Sequence, residues 1–507
     1  MKKSALILFC LFVFLAAAAA VNIGALEISV NKTHSDTLSP LELQTIARIR
    51  PVGGELLNTV VVEELLPVCR SLERLTVTSG SGKTVRLTED GSVLPLYHSY
   101  LQLDSGGRLR FLHTDTAGRV MGRLDSVASI EIEAELHDSD SLEVWVSWEG
   151  VEELKSEIRR WSELHGIDVQ VNEVPKSDSK MLSVLRGGGR PPDVLLIQSD
   201  YIPPLTAAGA LQPMVRFPTD GFARKSLDAL SLEGKLWAVP FCFDAQMLFY
   251  RRDLMSIDSQ ESGRAGWDLQ EFEEISSGLL ARGIAPAAWN AYSAYWLLPF
   301  QLGFGKQSIL EADGSVQAND PATIAAVTYL KHLIDKGILD LRERDSMFSR
   351  FISGDVAMML SASFSIPELE RLGVDFGVAP FPDGPQGPIR PLLDFKGFAI
   401  ARKTRRPLLA RRFLLSMSDP AVQHAFTSAV FKLPVSELAW KLAKRENPYF
   451  QVMRYSYETG VPVPSSQGYK VYKNTMWKML RFLLTGKMPV ETGLERAQSL
   501  IDSQMTR

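Results

Sequence analysis

From residue 142 onward, short apolar runs alternate with segments of helical periodicity, and this alternation constrains the fold more than any other feature. Residues 142–147 form an apolar run, and residues 151–164 repeat apolar side chains at helical spacing. Residues 167–174 and 193–197 continue the pattern as two further predicted strands. Strands that alternate with helices are typical of parallel sheets with helices on their faces. The sequence therefore predicts a doubly wound α/β lobe that begins near residue 142.

The preceding segment, residues 26–140, follows a different pattern and is predicted to be β-rich. Two pairs of alternating segments, each separated by a glycine-containing turn, predict β-hairpins: 75–78 with 85–88, and 100–103 with 109–112. Residues 130–136 alternate as a further strand and end at the polar stretch 137–141. We therefore place a domain boundary near residue 140.

The first 25 residues have the layout of a secretory signal peptide. Lys2 and Lys3 precede an apolar run over residues 5–21, and cleavage is expected after Ala20 or Ala25. The run nearly reaches bilayer-spanning length, so its retention as a membrane anchor stays open. The predicted location of the protein is periplasmic or extracytoplasmic.

Composition and motif spacing argue against several classes of function. The net charge is −4 and the basic residues are scattered, which does not indicate a nucleic-acid partner. The seven histidines lack the spacing of a metal site, and no G-x-S-x-G nucleophile motif is present. We therefore predict no metal and no cofactor. Cys69 and Cys242, the two cysteines beyond the signal segment, are predicted to be free and buried.

Several short motifs give residues 142–502 a resemblance to a known family. They lie, in order, at 142–145 (LEVW), 192–196 (PDVLL), 207–213 (AAGALQP), 237–254, 267–272 (WDLQEF), 351–359 (FISGDVAMM) and 486–494 (GKMPVETGL). The ordered set resembles the motifs of the maltose-binding-protein-like extracellular solute-binding proteins, which serve ABC importers.

The resemblance implies a two-lobed, type II-like periplasmic-binding-protein fold of the α/β class, with crossing strands as a hinge and the ligand between the lobes. Lobe 1 would comprise about residues 141–250 with later returning segments, and lobe 2 about residues 262–375 with part of the C-terminal region. Closure around the ligand is the hinge motion of periplasmic binding proteins as a class. Family members begin their first strand soon after the signal, so residues 26–140 depart from the family pattern.

The resemblance also implies where the ligand contacts lie. A sugar offers hydroxyl groups and apolar C–H faces, so its receptor needs aromatic faces together with carboxylates or amides. Carried over by position, the predicted ligand-binding residues are Trp148, Glu149, Asp200, Tyr201, Asp244, Trp289, Asn290, Tyr292, Tyr295, Trp296 and Phe364.

Structural alternatives to these roles stay open at the sequence level. Asp200 could cap the helix that follows its strand, and Asp244 could pair with a cation inside a lobe. Trp148 and Phe364 could belong to a core, because lone aromatic residues in α/β lobes usually do.

The resulting prediction is an exported, monomeric solute-binding protein, not an enzyme, that captures a carbohydrate in the interlobe cleft. The ligand would be a sugar, an oligosaccharide or a related polyol, delivered to the permease subunits of an ABC importer. The alternative is a receptor that senses such a ligand and signals through a partner protein. A polysaccharide-active hydrolase also stays open, because paired acids can meet from distant positions in the sequence.

Overall fold

The structure is a computed structural model that describes most of the chain. The described residues are 25–32, 34–66, 69–88, 96, 98–104, 108–115, 118–136, 141–148, 150–215, 217–219, 221–257 and 266–506. The predicted signal peptide up to residue 24, the predicted domain boundary at residues 137–140 and Glu149 lie outside this part of the chain. The side chain of Cys69 also lies outside it, whereas Cys242 is buried and free as predicted.

The described residues between 26 and 136, called the N-terminal domain below, lie mostly in strands. The elements are β1 Leu26–Val30, β2 His34–Leu38, α1 Pro40–Ile46, β3 Arg48–Val52, β4 Glu55–Val61, β5 Cys69–Ser79, β6 Thr84–Thr88, β7 Ser99–Leu103, β8 Leu109–Thr114, β9 Val120–Asp125 and β10 Val127–Leu136. The strands form one sheet in the order β2-β1-β10-β5-β6 and another in the order β3-β4-β7-β8-β9. The β-rich character expected of this segment is therefore present.

Both predicted hairpins of the N-terminal domain are confirmed. Thr78 pairs with Thr84 in the β5–β6 hairpin, and Leu103 pairs with Leu109 in the β7–β8 hairpin. The pairing of β1 with β10, which lie parallel to each other, was not predicted. The two strands are at opposite ends of the domain in sequence. A local period-2 pattern predicts a strand but not its partner.

Lobe 1 is built around the parallel strands β11, β12 and β13. Its described elements are β11 Leu142–Val146, α2 Val151–His165, β12 Val169–Glu173, α3 Ser177–Arg186, β13 Val194–Gln198, α4 Ile202–Ala207, α5 Arg224–Ala229, β14 Ser231–Leu232 and β15 Lys235–Leu236. The first helix ends as its sequence indicates, because Gly166 adopts the left-handed conformation (φ 63°) that favours glycine at a helix C-cap.

The chain then crosses to lobe 2 and returns. The elements up to the return are β16 Val239–Arg251, α6 Leu269–Ala281, β17 Ala285–Trp289, α7 Ala294–Gly303, α8 Pro321–Asp335, β18 Leu339–Leu341, α9 Arg344–Ser353, β19 Val356–Ala362, α10 Ile366–Arg371, β20 Phe376–Ala379, β21 Asp383–Gly384, β22 Gly387–Pro388 and β23 Leu392–Ile400. The remaining ones are α11 Pro407–Met417, α12 Pro420–Ala429, β24 Leu433–Pro434, α13 Trp440–Glu446, α14 Phe450–Thr459, β25 Val461–Pro462, α15 Gln467–Leu483 and α16 Val490–Met505.

Two long strands connect the lobes. The order β12-β11-β13-β23-β16-β19-β17-β18 runs through both of them. Over its first half β16 pairs with β23, and over its second half it pairs with β19 and β20 of lobe 2. Because the two strands belong to both lobes, they form the hinge of the two-lobed α/β fold that the resemblance implied. No helix in the described part of the chain has the length and apolar character needed to cross a bilayer.

Candidate functional site

The loops that follow four strands meet above the two crossing strands. On lobe 1, Trp148 follows β11 and Tyr201 follows β13, and their ring centroids are 5.8 Å apart. The Nζ atom of Lys396, on β23, lies 5.7 Å from the centroid of the Trp148 ring. On lobe 2, the corresponding loops follow β17 and β19. The carboxyl ends of strands from both lobes therefore enclose one region, where ligands bind in open α/β sheets.

Four charged side chains form the floor of this region: Asp244 on β16, Asp394 and Lys396 on β23, and Lys432 just before β24. Asp244 is fully buried, and Lys432 Nζ lies 2.6 Å from each of its carboxylate oxygens. Lys396 Nζ also donates to Asp244, and the Ser363 hydroxyl donates at 2.7 Å. Burial opposes ionisation, but the two ammonium groups prevail and hold the pKa of Asp244 below its ordinary value.

Asp394 differs from Asp244 in its surroundings. It accepts a 2.6 Å hydrogen bond from Gln198 Nε2, and Lys396 Nζ lies 3.4 Å away. Its side chain is 12% exposed, whereas that of Asp244 is completely covered. Burial raises the pKa of Asp394 to about 6, and the neighbouring charge of Asp244 adds to this shift while Lys396 opposes it. Asp394 is the floor carboxylate that reaches open space.

The lobe 1 wall of the site carries both strain and an unpaired polar atom. Trp148 has a φ of 74°, in the left-handed region that non-glycine residues rarely adopt. The neighbouring Ser147 is buried, and its Oγ has no hydrogen-bond partner among the described residues. Strain and orphaned buried polar groups concentrate at functional sites, so both features fit a ligand-binding wall.

Asp200 joins the two lobes rather than capping a helix. It lies in the short 3-10 turn Ser199–Tyr201, and the N-cap of α4 is Tyr201, which makes no side-chain cap. Lys473 Nζ, on α15 of lobe 2, lies 2.6 Å from Asp200 Oδ2. This ion pair connects the turn after β13 of lobe 1 to α15 of lobe 2.

On lobe 2, the predicted aromatic cluster is divided between the floor and the core. The Tyr295 and Trp296 rings are in edge contact at 4.9 Å, and the Tyr295 hydroxyl is buried without a partner among the described residues. Burial raises the pKa of Tyr295 well above its ordinary value, and the negative charge of Asp394 raises it further. The Tyr295 hydroxyl therefore lies near the floor. Trp289 is 1% exposed and stacks on Phe300 at 5.9 Å, a core position.

The other predicted lobe 2 residues lie at the rim of the site, where each contacts a charged side chain. Asn290 Nδ2 donates to Glu343 Oε2 at 3.1 Å, and Arg481 lies 2.5 Å from the other Glu343 oxygen. The Arg481 guanidinium is 4.6 Å from the Tyr292 ring centroid. The Phe364 ring, after β19, has the guanidinium of Arg344 5.6 Å from its centroid. Cations therefore already occupy a face of the Tyr292 and Phe364 rings.

Sequence reasoning missed several side chains that surround the predicted residues: Gln198, Ser363, Asp394, Lys396, Lys432 and Lys473. For Asp394 and Lys396 a signal was available, since two charges lie within the buried strand β23. Lys432 carries no such signal, because nothing in its sequence neighbourhood indicates Asp244 as its partner. In the described part of the chain no group of His, Cys, Asp and Glu side chains could hold a metal ion.

Comparisons with known proteins agree with this architecture. Residues 158–439, more than half of the chain, match the model of a bacterial extracellular solute-binding protein family. A maltodextrin-binding protein of Bacillus subtilis is 26% identical over 322 residues, which cover 59% of this chain and 74% of that protein. A maltotriose-binding protein of Pyrococcus abyssi is 24% identical over 220 residues, 42% of this chain and 47% of that protein.

Two solved structures share the fold. The GacH receptor of Streptomyces glaucescens, solved unliganded and with acarbose, has a TM-score of 0.65 at 20% identity and covers 72% of this chain and 99% of its own. The maltose/maltodextrin-binding domain MalE from Bdellovibrio bacteriovorus, bound to maltotriose, has a TM-score of 0.64 at 20% identity, with 72% and 100% covered. The relatives named here are binding proteins rather than enzymes.

Proposed function

We propose that this chain, which belongs to the bacterial extracellular solute-binding protein family, captures a carbohydrate between its two lobes. The relatives support this ligand class, because their names refer to maltodextrin and maltotriose. The protein binds its ligand without converting it. It delivers the ligand to the permease subunits of an ABC importer, and an N-terminal signal peptide exports it to its extracytoplasmic location.

One observation carries the proposal: aromatic faces and unsatisfied polar groups from both lobes meet above a carboxylate. Trp148 and Tyr201 supply the faces, and Ser147 and Tyr295 supply buried hydroxyl groups without described partners. Asp394 supplies an acceptor that is still partly open. Sugar C–H faces pack on aromatic rings, and sugar hydroxyls bond to carboxylates and hydroxyls, so this combination suits a carbohydrate.

The two floor carboxylates take different roles in this proposal. Asp394 accepts hydrogen bonds from ligand hydroxyl groups. Asp244 keeps Lys396 and Lys432 in place, since its oxygens already accept from both ammonium groups and from Ser363. This assignment replaces Asp244 with Asp394 as the proposed ligand acceptor. It leaves Asp244 the alternative role of an internal ion-pair partner.

We assign a role to each of the other predicted contacts from its position in the structure. Tyr295 and Trp296 face the ligand from lobe 2, and Asn290, Tyr292 and Phe364 line the rim. Asp200 acts with Lys473 when the lobes close. Trp289 supports the wall from the core of lobe 2.

A thermal-shift screen of the exported chain against sugars, oligosaccharides and polyols tests the proposal, because a ligand that binds only the folded state raises its melting temperature. We expect a carbohydrate to give a saturable rise that Trp148→Ala abolishes. Phe482→Ala is the matched control, because it removes a ring that is 48% exposed on α15. A rise with a different class of solute and none with carbohydrates would overturn the ligand class, and turnover of a glycoside would overturn the non-enzymatic role.

A further inference from the structure

The N-terminal domain is attached to lobe 1 through buried charges. Glu63, 1% exposed, follows β4 and accepts a hydrogen bond from Arg412 on α11 of lobe 1. The Nε2 atom of His165, the last residue of α2, lies 3.3 Å from Glu63 Oε2, and its Nδ1 atom lies 3.2 Å from the Leu66 carbonyl oxygen. One buried carboxylate of the N-terminal domain therefore contacts two helices of lobe 1.

Arg50 makes a second attachment, at the start of α12. Its side chain is 1% exposed, and its Nε atom lies 3.2 Å from Asp419 Oδ2. Its other nitrogens bind Glu64 at 2.8 Å and the Thr59 carbonyl oxygen at 2.6 Å within the N-terminal domain. Asp419 in turn caps α12 by accepting a 2.6 Å hydrogen bond from the Ala421 amide. The guanidinium therefore holds the capping residue of a lobe 1 helix.

Three further polar contacts surround these two attachments. Arg48 lies 2.8 Å from Glu157 of α2, Arg160 of α2 donates to the Ile46 carbonyl oxygen at 2.6 Å, and Lys441 of α13 donates to the Gly54 carbonyl oxygen at 3.2 Å. These contacts join the N-terminal domain to α2 and α13 of lobe 1 at three further points.

The opposite ends of α2 and α12 reach the candidate ligand site. Helix α2 begins at Val151, three residues after Trp148, and α12 ends at Ala429, three residues before Lys432. These ends pack against each other: a Cβ atom on Gly150 would lie 2.6 Å from a Val430 side-chain atom. At 1.5 Å per residue the helices are about 22 Å and about 15 Å long, so each runs from the N-terminal domain to the floor.

We propose that the N-terminal domain is a clamp on lobe 1 that positions Trp148 and Lys432 by holding the far ends of α2 and α12. Arg50 and Glu63 are its positioning residues. The inference rests on the proposed function only in that Trp148 and Lys432 belong to the ligand site. It assigns a role to the segment that departs from the family pattern.

Hydrogen exchange of the unliganded, exported chain tests the clamp without knowledge of the ligand. We expect Arg50→Met to accelerate amide exchange on the order of tenfold at residues 145–152 and 428–436, because loss of a charged hydrogen bond at one helix end lowers the opening free energy of the whole unit. The matched control is Arg110→Met, which removes a 2.6 Å ion pair with Asp125 inside the N-terminal domain.

Two further variants separate positioning from general damage. Arg50→Lys keeps the charge and should slow exchange at both remote segments relative to Arg50→Met. Asp419→Asn keeps the helix cap but removes the ion pair, so it should reproduce the effect even if Arg50→Met fails to fold. Faster exchange confined to residues 41–66 and 419–423 in these variants would overturn the clamp. The thermal-shift screen tests the proposed carbohydrate function independently of this result.

Discussion

The buried Asp244 makes a sharp prediction about stability. Asp244→Asn preserves the shape of the side chain but removes the negative charge between Lys396 and Lys432, which are 3% and 2% exposed. Two ammonium groups would then remain buried near a single carboxylate, Asp394. Breaking a buried ion pair in this way costs about 3 to 5 kcal/mol. We therefore expect the free energy of unfolding of the unliganded protein to fall by about this amount.

The matched variant is Asp394→Asn, on the neighbouring strand. Because burial favours the neutral form of Asp394, an amide there should change the unliganded stability little at pH 5, below the pKa of about 6. Its loss should instead weaken ligand binding by about 1.5 to 3 kcal/mol, the scale of a hydrogen bond to a charged group.

Denaturant unfolding without ligand and titration calorimetry with the carbohydrate found by the screen measure both quantities for both variants. The reasoning predicts a stability loss for Asp244→Asn and an affinity loss for Asp394→Asn. If Asp244→Asn retained full stability and lost only affinity, the separation of roles would be refuted, and Asp244 would be the ligand contact that its sequence position suggested.

Three further predictions concern charge. Burial raises the pKa of Asp394 from 3.8 to about 6, so ionisation of this carboxyl lowers the stability of the unliganded protein as pH rises from 3.8 through about 6. A ligand that donates to the carboxylate should bind more tightly above pH 6; calorimetry at pH 5 and pH 7 tests this, and Asp394→Asn should remove the dependence. Asp200→Asn or Lys473→Met should shift the unliganded protein towards an open form with a larger radius of gyration in X-ray scattering, while Lys470→Met on the same helix should not. Burial opposes the ionisation of Glu63, but the charges of His165 and Arg412 lower its pKa to about 2. Its contribution to stability, roughly 3 kcal/mol, is therefore present above pH 4.5 and is lost as pH falls from there towards 2, and Glu63→Gln should make stability less dependent on pH over this range.

The sequence by itself determined the local structure, and its resemblance to a known family implied the two-lobed architecture. Apolar periodicity predicted α2 and the strands beside it, and glycine-containing turns predicted both hairpins, because these signals depend on residues near one another in the chain. The resemblance to the family, carried over by position, implied Trp148 and Tyr201 as ligand contacts directly after strands, at the edge of a sheet where the ends of parallel strands meet.

Only the tertiary structure decided which side chains meet. The sequence singled out Asp244 as a charge in an apolar strand, but its partners are 152 and 188 positions away in the chain, on β23 and after α12. The same holds for Arg50, whose partner Asp419 lies 369 positions away. The ion-pair partners of a buried charge are set by the tertiary fold. A local sequence pattern does not indicate partners that lie far away in the chain. For that reason the sequence could indicate a binding site between two lobes, whereas the separate roles of Asp244 and Asp394 and the attachment of the N-terminal domain emerged only from the packed structure.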